Sequence, residues 1–124
     1  VRRIIFSLTT WCPVGHRILV VDDEPALRTI LARAFRQRGC ETLEACDEVA
    51  ALKAALSASP PFDLVVTNSR MPHLDGLHLA AALHQADPGL PVMHLFRTCF
   101  KPFNLEDLLD EADEMMRAGE AKTS

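Results

Sequence analysis

The stretch from Asp63 to Gly76 places the strongest constraint on how this chain can fold: Asp-Leu-Val-Val-Thr-Asn-Ser-Arg-Met-Pro-His-Leu-Asp-Gly. Its apolar run, Leu64 to Val66, is rich in β-branched residues and is typical of a strand buried on both faces. The run turns polar at Thr67 and Asn68, and a loop with Pro and Gly follows. Such a strand delivers its last residue to the carboxyl edge of a parallel sheet, where ligands bind. The pattern therefore predicts that Asn68 lies at the functional edge.

A second apolar run, Ile18 to Val21, ends in the acidic sequence Asp22-Asp23-Glu24. Pro25 follows, at the first position of a predicted helix, where its missing N–H costs nothing. Acidic residues are favoured at any helix N-terminus, but three in a row exceed what a cap requires. If the two strands are neighbours, Asp22 and Asp23 lie close to Asn68. Carboxylate and amide oxygens together suit a hard divalent cation such as Mg²⁺.

The remaining chain alternates between strand and helix patterns. Helices are predicted from Pro25 to Arg38, after an Asp47 cap, over about 76–85, and after an Asn104 cap. Further strands are predicted over Cys40–Ala45 and Pro91–Phe96. This alternation predicts a doubly wound α/β domain with a parallel sheet covered on both faces. We assign residues 1–15 to a leader, 16–118 to the domain and 119–124 to a C-terminal tail.

Composition excludes several classes of function. With 124 residues, of which 48% are hydrophobic, the chain suits one domain with a proper core. A net charge of −4 and the lack of a basic block argue against nucleic acid, and no apolar stretch suits a membrane span. The cysteines form no Cys-x-x-Cys pair, so we interpret Cys40, Cys46 and Cys99 as small core residues in a reducing cytoplasm. No nucleophile–base pair or glycine-rich phosphate loop indicates an enzyme.

Three segments resemble the landmark motifs of bacterial response-regulator receiver domains, in the family's order. They are Ile-Leu-Val-Val-Asp-Asp-Glu-Pro, the stretch from Phe62 to Gly76, and Phe-Lys-Pro-Phe. The resemblance implies a flavodoxin-like receiver fold that takes a phosphoryl group from a histidine kinase onto an aspartate. By the same resemblance, Asp22 and Asp23 fall on the acidic Mg²⁺ ligands and the carbonyl of Arg70 on the backbone ligand. Lys101 falls on the lysine that pairs with phosphoryl oxygens, and its peptide bond to Pro102 is expected to be cis.

Three departures from the family pattern matter more than these matches. Asn68 occupies the phosphoacceptor position, and its amide is no nucleophile for in-line attack on phosphorus. Phe96 falls where the family has a hydroxyl residue. Only four residues separate Phe96 from Lys101, whereas adjacent parallel strands need a crossover of about a dozen residues. We therefore expect that the usual fourth helix and part of the strand 4/5 region are missing.

These features favour a degenerate receiver of a phosphorelay that acts by docking on a histidine kinase or another response regulator. One alternative is a phosphate-competent receiver that uses Asp22, Asp23 or a deamidated Asn68. Another is a structural or oligomerising protein without a signalling role. Without a fifth strand beside it, the fourth strand leaves an unpaired sheet edge, and the last helix carries an apolar stripe that must be buried. We therefore also expect a homodimer formed by exchange of the C-terminal arm.

Overall fold

The computed structural model describes residues 16–68, 76–95 and 105–123. Its strands are β1 (Arg17–Val21), β2 (Glu41–Ala45), β3 (Leu64–Asn68) and β4 (Val92–Leu95). Its helices are α1 (Pro25–Gln37), α2 (Glu48–Ser57), α3 (Gly76–Ala86) and α4 (Leu105–Thr123). All strand pairs are parallel, and the order across the sheet is β2-β1-β3-β4.

Helices cover both faces of the sheet, as the alternation of strand and helix patterns predicted. Ile18 and Val20 of β1 lie in a cluster with α1 and α4. Leu19 and Val21 lie in the opposite cluster, with α2 and α3. All four side chains are at most 1% exposed, because side chains alternate between the two faces of a strand and both faces are covered. The predicted doubly wound parallel sheet is therefore confirmed.

Local sequence signals set the ends of the first two helices. Pro25 begins α1, and Gly39 takes a left-handed conformation (φ 94°) just beyond its end. Asp47 caps α2 by accepting a hydrogen bond from the backbone N–H of Ala50 at 2.8 Å. These helix ends are confirmed to within a residue. The last helix runs on to Thr123, through most of the segment assigned to a tail.

Helix α4 packs against its own sheet. Four residues of its apolar stripe, Leu108, Leu109, Ala112 and Met116, are buried in the same cluster as Phe35 of α1. The guanidinium Nη1 of Arg38 also lies 3.2 Å from the Asp110 carboxylate. Burial of the stripe therefore does not require exchange between two molecules. Residues 96–104, between β4 and α4, lie outside the described part of the chain, so the expected loss of the usual fourth helix and of part of the strand 4/5 region stays a prediction.

The cysteines depart from the sequence-based interpretation. Cys40 is buried, at 4% exposure, but it is disulfide-bonded and so is not a reduced core thiol. Cys46 carries a free thiol and is exposed, so the prediction that it is a core residue is wrong. The cysteine pattern thus gives no support to a reducing compartment. Cys99 lies outside the described residues.

None of the helices that the structure describes is both long and apolar enough to span a membrane.

Candidate functional site

The ends of β1 and β3 meet at the carboxyl edge of the sheet. Val21 is paired with Thr67 in the parallel register of these two strands. The next residue on each strand is Asp22 and Asn68, so the backbone places these two residues side by side. Asn68 in turn is paired with Leu95 of β4. The juxtaposition predicted from the two apolar runs is therefore present in the fold.

Asp22 is held tightly where β1 turns into α1. Its side chain is 1% exposed, and its Oδ1 accepts a hydrogen bond from the backbone N–H of Glu24 at 2.9 Å. Its own N–H donates to the carbonyl of Ala45 at 3.1 Å, which ties the corner to the end of β2. Asp23 is half-buried and Glu24 is exposed. The two aspartates therefore differ, since Asp22 shapes the turn while Asp23 is more open to solvent.

The acids of the corner are not explained by helix capping. Glu24 is the N-cap residue of α1, yet its side chain makes no capping hydrogen bond. The first turn of α1 also contains no acidic residue that would favour the helix dipole. Of these acids, Asp22 has a local role in the turn through the N–H of Glu24, and the site roles of Asp22 and Asp23 stay predictions.

Two arginines of α1 contact β2, and one of them, Arg28, also contacts this corner; neither contact was predicted from the sequence. Arg28 donates from Nη1 to the carbonyl of Asp22 at 2.8 Å and from Nε to Oε1 of Glu44 at 3.2 Å. Arg36 contacts the other oxygen of Glu44 at 3.4 Å and donates to the carbonyl of Thr42 at 2.7 Å. The eight-residue spacing of the arginines puts them on one face of a helix, but nothing local shows that Glu44 lies opposite them.

Several predicted site residues lie outside the described part of the chain. These are Arg70, Phe96 and Lys101, together with the expected cis peptide bond between Lys101 and Pro102. For Asn68 the structure describes the backbone at the end of β3. The roles predicted for these residues stay predictions.

The oxygen donors at the corner are of the type that binds Mg²⁺, but they include two carboxylates and one neutral amide instead of three carboxylates. Asp22 and Asp23 offer carboxylates, and Asn68 beside them offers an amide, which are the oxygen ligands that hard cations prefer. Among the described residues, however, no three acids, histidines or cysteines are grouped so that they could hold a metal ion. Because an amide replaces a carboxylate, we expect any Mg²⁺ bound here to be held weakly.

Thr67, next to Asn68, contains an unusual polar group. Its side chain is fully buried, and its Oγ1 has no hydrogen-bond partner among the residues that the structure describes. Thr67→Val should therefore raise the free energy of unfolding by about 1 kcal/mol. A buried hydroxyl without a partner loses its hydrogen bonds to water on folding and gains none in the protein. Urea denaturation measures the change. Thr42→Val is the matched control, because Oγ1 of buried Thr42 donates to the carbonyl of Cys40 at 3.3 Å and its loss should not stabilise. Equal gains from both variants would contradict the interpretation.

Known proteins are similar to this chain in both sequence and fold. The family model described as response regulator receiver domain matches residues 18–99. The probable transcriptional regulatory protein TcrX of Mycobacterium tuberculosis is 38% identical over 78 residues, which cover 63% of this chain and 32% of that protein. The receiver protein CpdR of Brucella abortus is 27% identical over 119 residues, which cover 82% of this chain and 98% of that protein.

Solved receiver structures agree with this result. The response regulator TrrA of Thermotoga maritima, in complex with Mg²⁺ and BeF, has a TM-score of 0.70 at 27% identity and covers 81% of this chain and 98% of that one. NtrX of Brucella abortus, in complex with ATP, has a TM-score of 0.80 at 26% identity and covers 89% of this chain and 29% of that one. The chain thus spans about a third of the longer relatives TcrX and NtrX but nearly all of CpdR and TrrA. Since the family model matches well over half of its residues, the chain belongs to the response regulator receiver domain family.

Proposed function

We propose that this receiver is not phosphorylated in the usual way and acts by docking on a histidine kinase or on another response regulator. The observation that carries the proposal is an amide, Asn68, at the end of β3 beside Asp22. The direct test is incubation with Mg²⁺ and a small phosphodonor, followed by measurement of the mass of the chain.

The chemistry of the corner supports the proposal. The nitrogen of an amide has its lone pair delocalised into the carbonyl, so Asn68 offers no nucleophile for phosphoryl transfer. Asp22 is a poor substitute because it is 1% exposed and already accepts a hydrogen bond from Glu24. Asp23 is the more open carboxylate, and phosphate found there would favour the phosphate-competent alternative.

The surface of α1 suits docking on a protein. The helix contains three arginines, of which Arg33 and Arg36 are exposed and Arg28 is half-buried, and it contains no acidic residue. Ile30 is 51% exposed in the middle of this surface, next to exposed Arg33. An apolar residue within a basic surface supports contact with an acidic or amphipathic partner helix. A receiver that docks on a histidine kinase would act in the cytoplasm, which is the location expected from the sequence.

Exchange of the C-terminal arm between two copies stays a prediction. Of the described strands, β4 lies at one edge of the sheet, which favours pairing with a second chain. Burial of the α4 stripe against its own sheet removes the other reason for exchange. A monomer would leave the docking proposal intact.

The proposed site makes a prediction about Mg²⁺ and stability. Millimolar Mg²⁺ should raise the melting temperature of the wild type little, because the stabilisation is only about 0.4 kcal/mol when the concentration equals Kd. Asn68→Asp should lower the apo stability by about 1 kcal/mol through repulsion among three neighbouring carboxylates. The same variant should gain more from Mg²⁺, since the cation relieves that repulsion.

Thermal unfolding with and without MgCl₂ measures both effects, and NaCl at equal ionic strength controls for screening. A strong, saturating stabilisation of the wild type would show that the site is better formed than proposed. An equal response from the wild type and Asn68→Asp would show that a carboxylate at position 68 does not contribute to Mg²⁺ binding.

A further inference from the structure

The turn at Asp22 is anchored by three different partners. Its N–H donates to Ala45, its Oδ1 accepts from the N–H of Glu24, and its carbonyl accepts from Nη1 of Arg28 at 2.8 Å. The first two contacts use backbone groups of the sheet and of the turn itself. The third is made by a side chain from α1, so a substitution can remove it without altering the strand.

Glu44 holds Arg28 in place. The carboxylate lies 3.2 Å from Nε of Arg28, and the two side chains are 18% and 28% exposed. An ion pair that is mostly shielded from water restricts the guanidinium more than an exposed pair does. Since a guanidinium presents several donors in a fixed fork, one Arg28 side chain reaches both Glu44 and the carbonyl of Asp22.

We propose that Arg28 is a positioning residue for cation binding at the carboxyl edge. By fixing the backbone at Asp22, it holds the turn that carries Asp22 and Asp23 next to the end of β3. The inference rests on the Mg²⁺ site of the proposed function. It assigns to α1, through Arg28, a role in how well the corner binds a cation.

The sign of the effect separates positioning from plain electrostatics. A guanidinium near a cation site repels the cation, so loss of its charge alone would strengthen binding. If Arg28 positions the ligands, its loss weakens binding in spite of the removed repulsion. The two explanations therefore predict opposite changes in affinity for the same substitution.

Arg36 provides a matched control on the same helix. It contacts the same Glu44 carboxylate, at 3.4 Å, but its second contact is the carbonyl of Thr42 within β2. Arg28→Gln and Arg36→Gln thus remove the same charge and one contact to Glu44 each. Only Arg28→Gln frees the carbonyl of Asp22.

The experiment is a Mn²⁺ titration followed by electron paramagnetic resonance, in which free Mn²⁺ is measured directly. Arg28→Gln should weaken Mn²⁺ binding by about tenfold, the usual effect of removing a group that orients metal ligands. Arg36→Gln should change it by less than about twofold, and Arg28→Lys should fall between, since an ammonium keeps the charge but not the fork. Unchanged or tighter binding by Arg28→Gln would overturn the proposal, as would an equal loss in Arg36→Gln.

Amide hydrogen exchange without cation provides the second readout. In Arg28→Gln the N–H of Glu24 should exchange about tenfold faster while the amides of β1 keep their protection, because the loss is local to the turn. Faster exchange throughout the sheet would show a merely structural role and overturn the proposal. If the wild type takes up no Mn²⁺ but Arg28→Gln still loosens the turn, the metal site of the proposed function is wrong. The inference about cation binding then fails with it, and Arg28 only holds the turn.

Discussion

Incubation with Mg²⁺ and a small phosphodonor is expected to leave the mass of the chain unchanged. The residue beside Asp22 at the end of β3 is Asn68, and an amide has no oxygen or nitrogen able to attack phosphorus at a useful rate. Intact-mass spectrometry over the lifetime of the phosphodonor gives the answer. A gain of one phosphoryl group that maps to Asp22, Asp23 or another acid of the corner would contradict the proposed function.

The variant Asn68→Asp tests whether the rest of the site can support phosphorylation. It restores a carboxylate at the acceptor position, but we expect only poor labelling. Phe96 falls where the family has a hydroxyl residue, and Lys101 follows after only four further residues. Combining the variant with Asp23→Asn is the control, because it keeps the acceptor and removes a proposed cation ligand. Labelling of Asn68→Asp as in an ordinary receiver would show that the shortened segment matters less than we infer.

Phe35→Ala is expected to destabilise the domain by about 3–5 kcal/mol, the usual loss when a buried aromatic ring is removed. Phe35 of α1 is fully buried in the cluster that α1 forms with the sheet and α4. Such a loss approaches the whole stability of many domains, which is about 5–15 kcal/mol. It would lower the melting temperature by about 10–25 °C.

Ile30→Ala is the matched control for that prediction. Ile30 lies on the same helix but is 51% exposed, so its truncation should change the stability by less than about 1 kcal/mol. Urea denaturation of both variants measures the difference. Similar losses from the two variants would show that α1 does not present its Phe35 face to the core.

Much of the fold follows from short-range signals in the sequence. The apolar runs of β1 and β3 identified two buried strands, and the polar residues that follow them marked the carboxyl edge of the sheet. Pro25, Gly39 and Asp47 marked the helix ends because each acts on its own backbone or on residues within one turn. These signals need no knowledge of distant parts of the chain. They were sufficient for the sheet, its covering helices and the meeting of Asp22 with Asn68.

The tertiary structure decided what depends on distant partners. Arg28 and Glu44 are 16 residues apart and Arg38 and Asp110 are 72 apart, so their pairing depends on how α1 lies against β2 and α4. The exposure of Cys46 and the lack of a hydrogen-bond partner for the Thr67 hydroxyl within the described part of the chain likewise depend on which elements surround them. Periodicity shows that a residue belongs to a face, whereas the residue opposite that face is set by helix packing and strand register. The sequence by itself therefore determined the carboxyl edge of the sheet and the amide residue Asn68 at that edge, and the packing of α1 determined how Arg28 contacts Asp22 there.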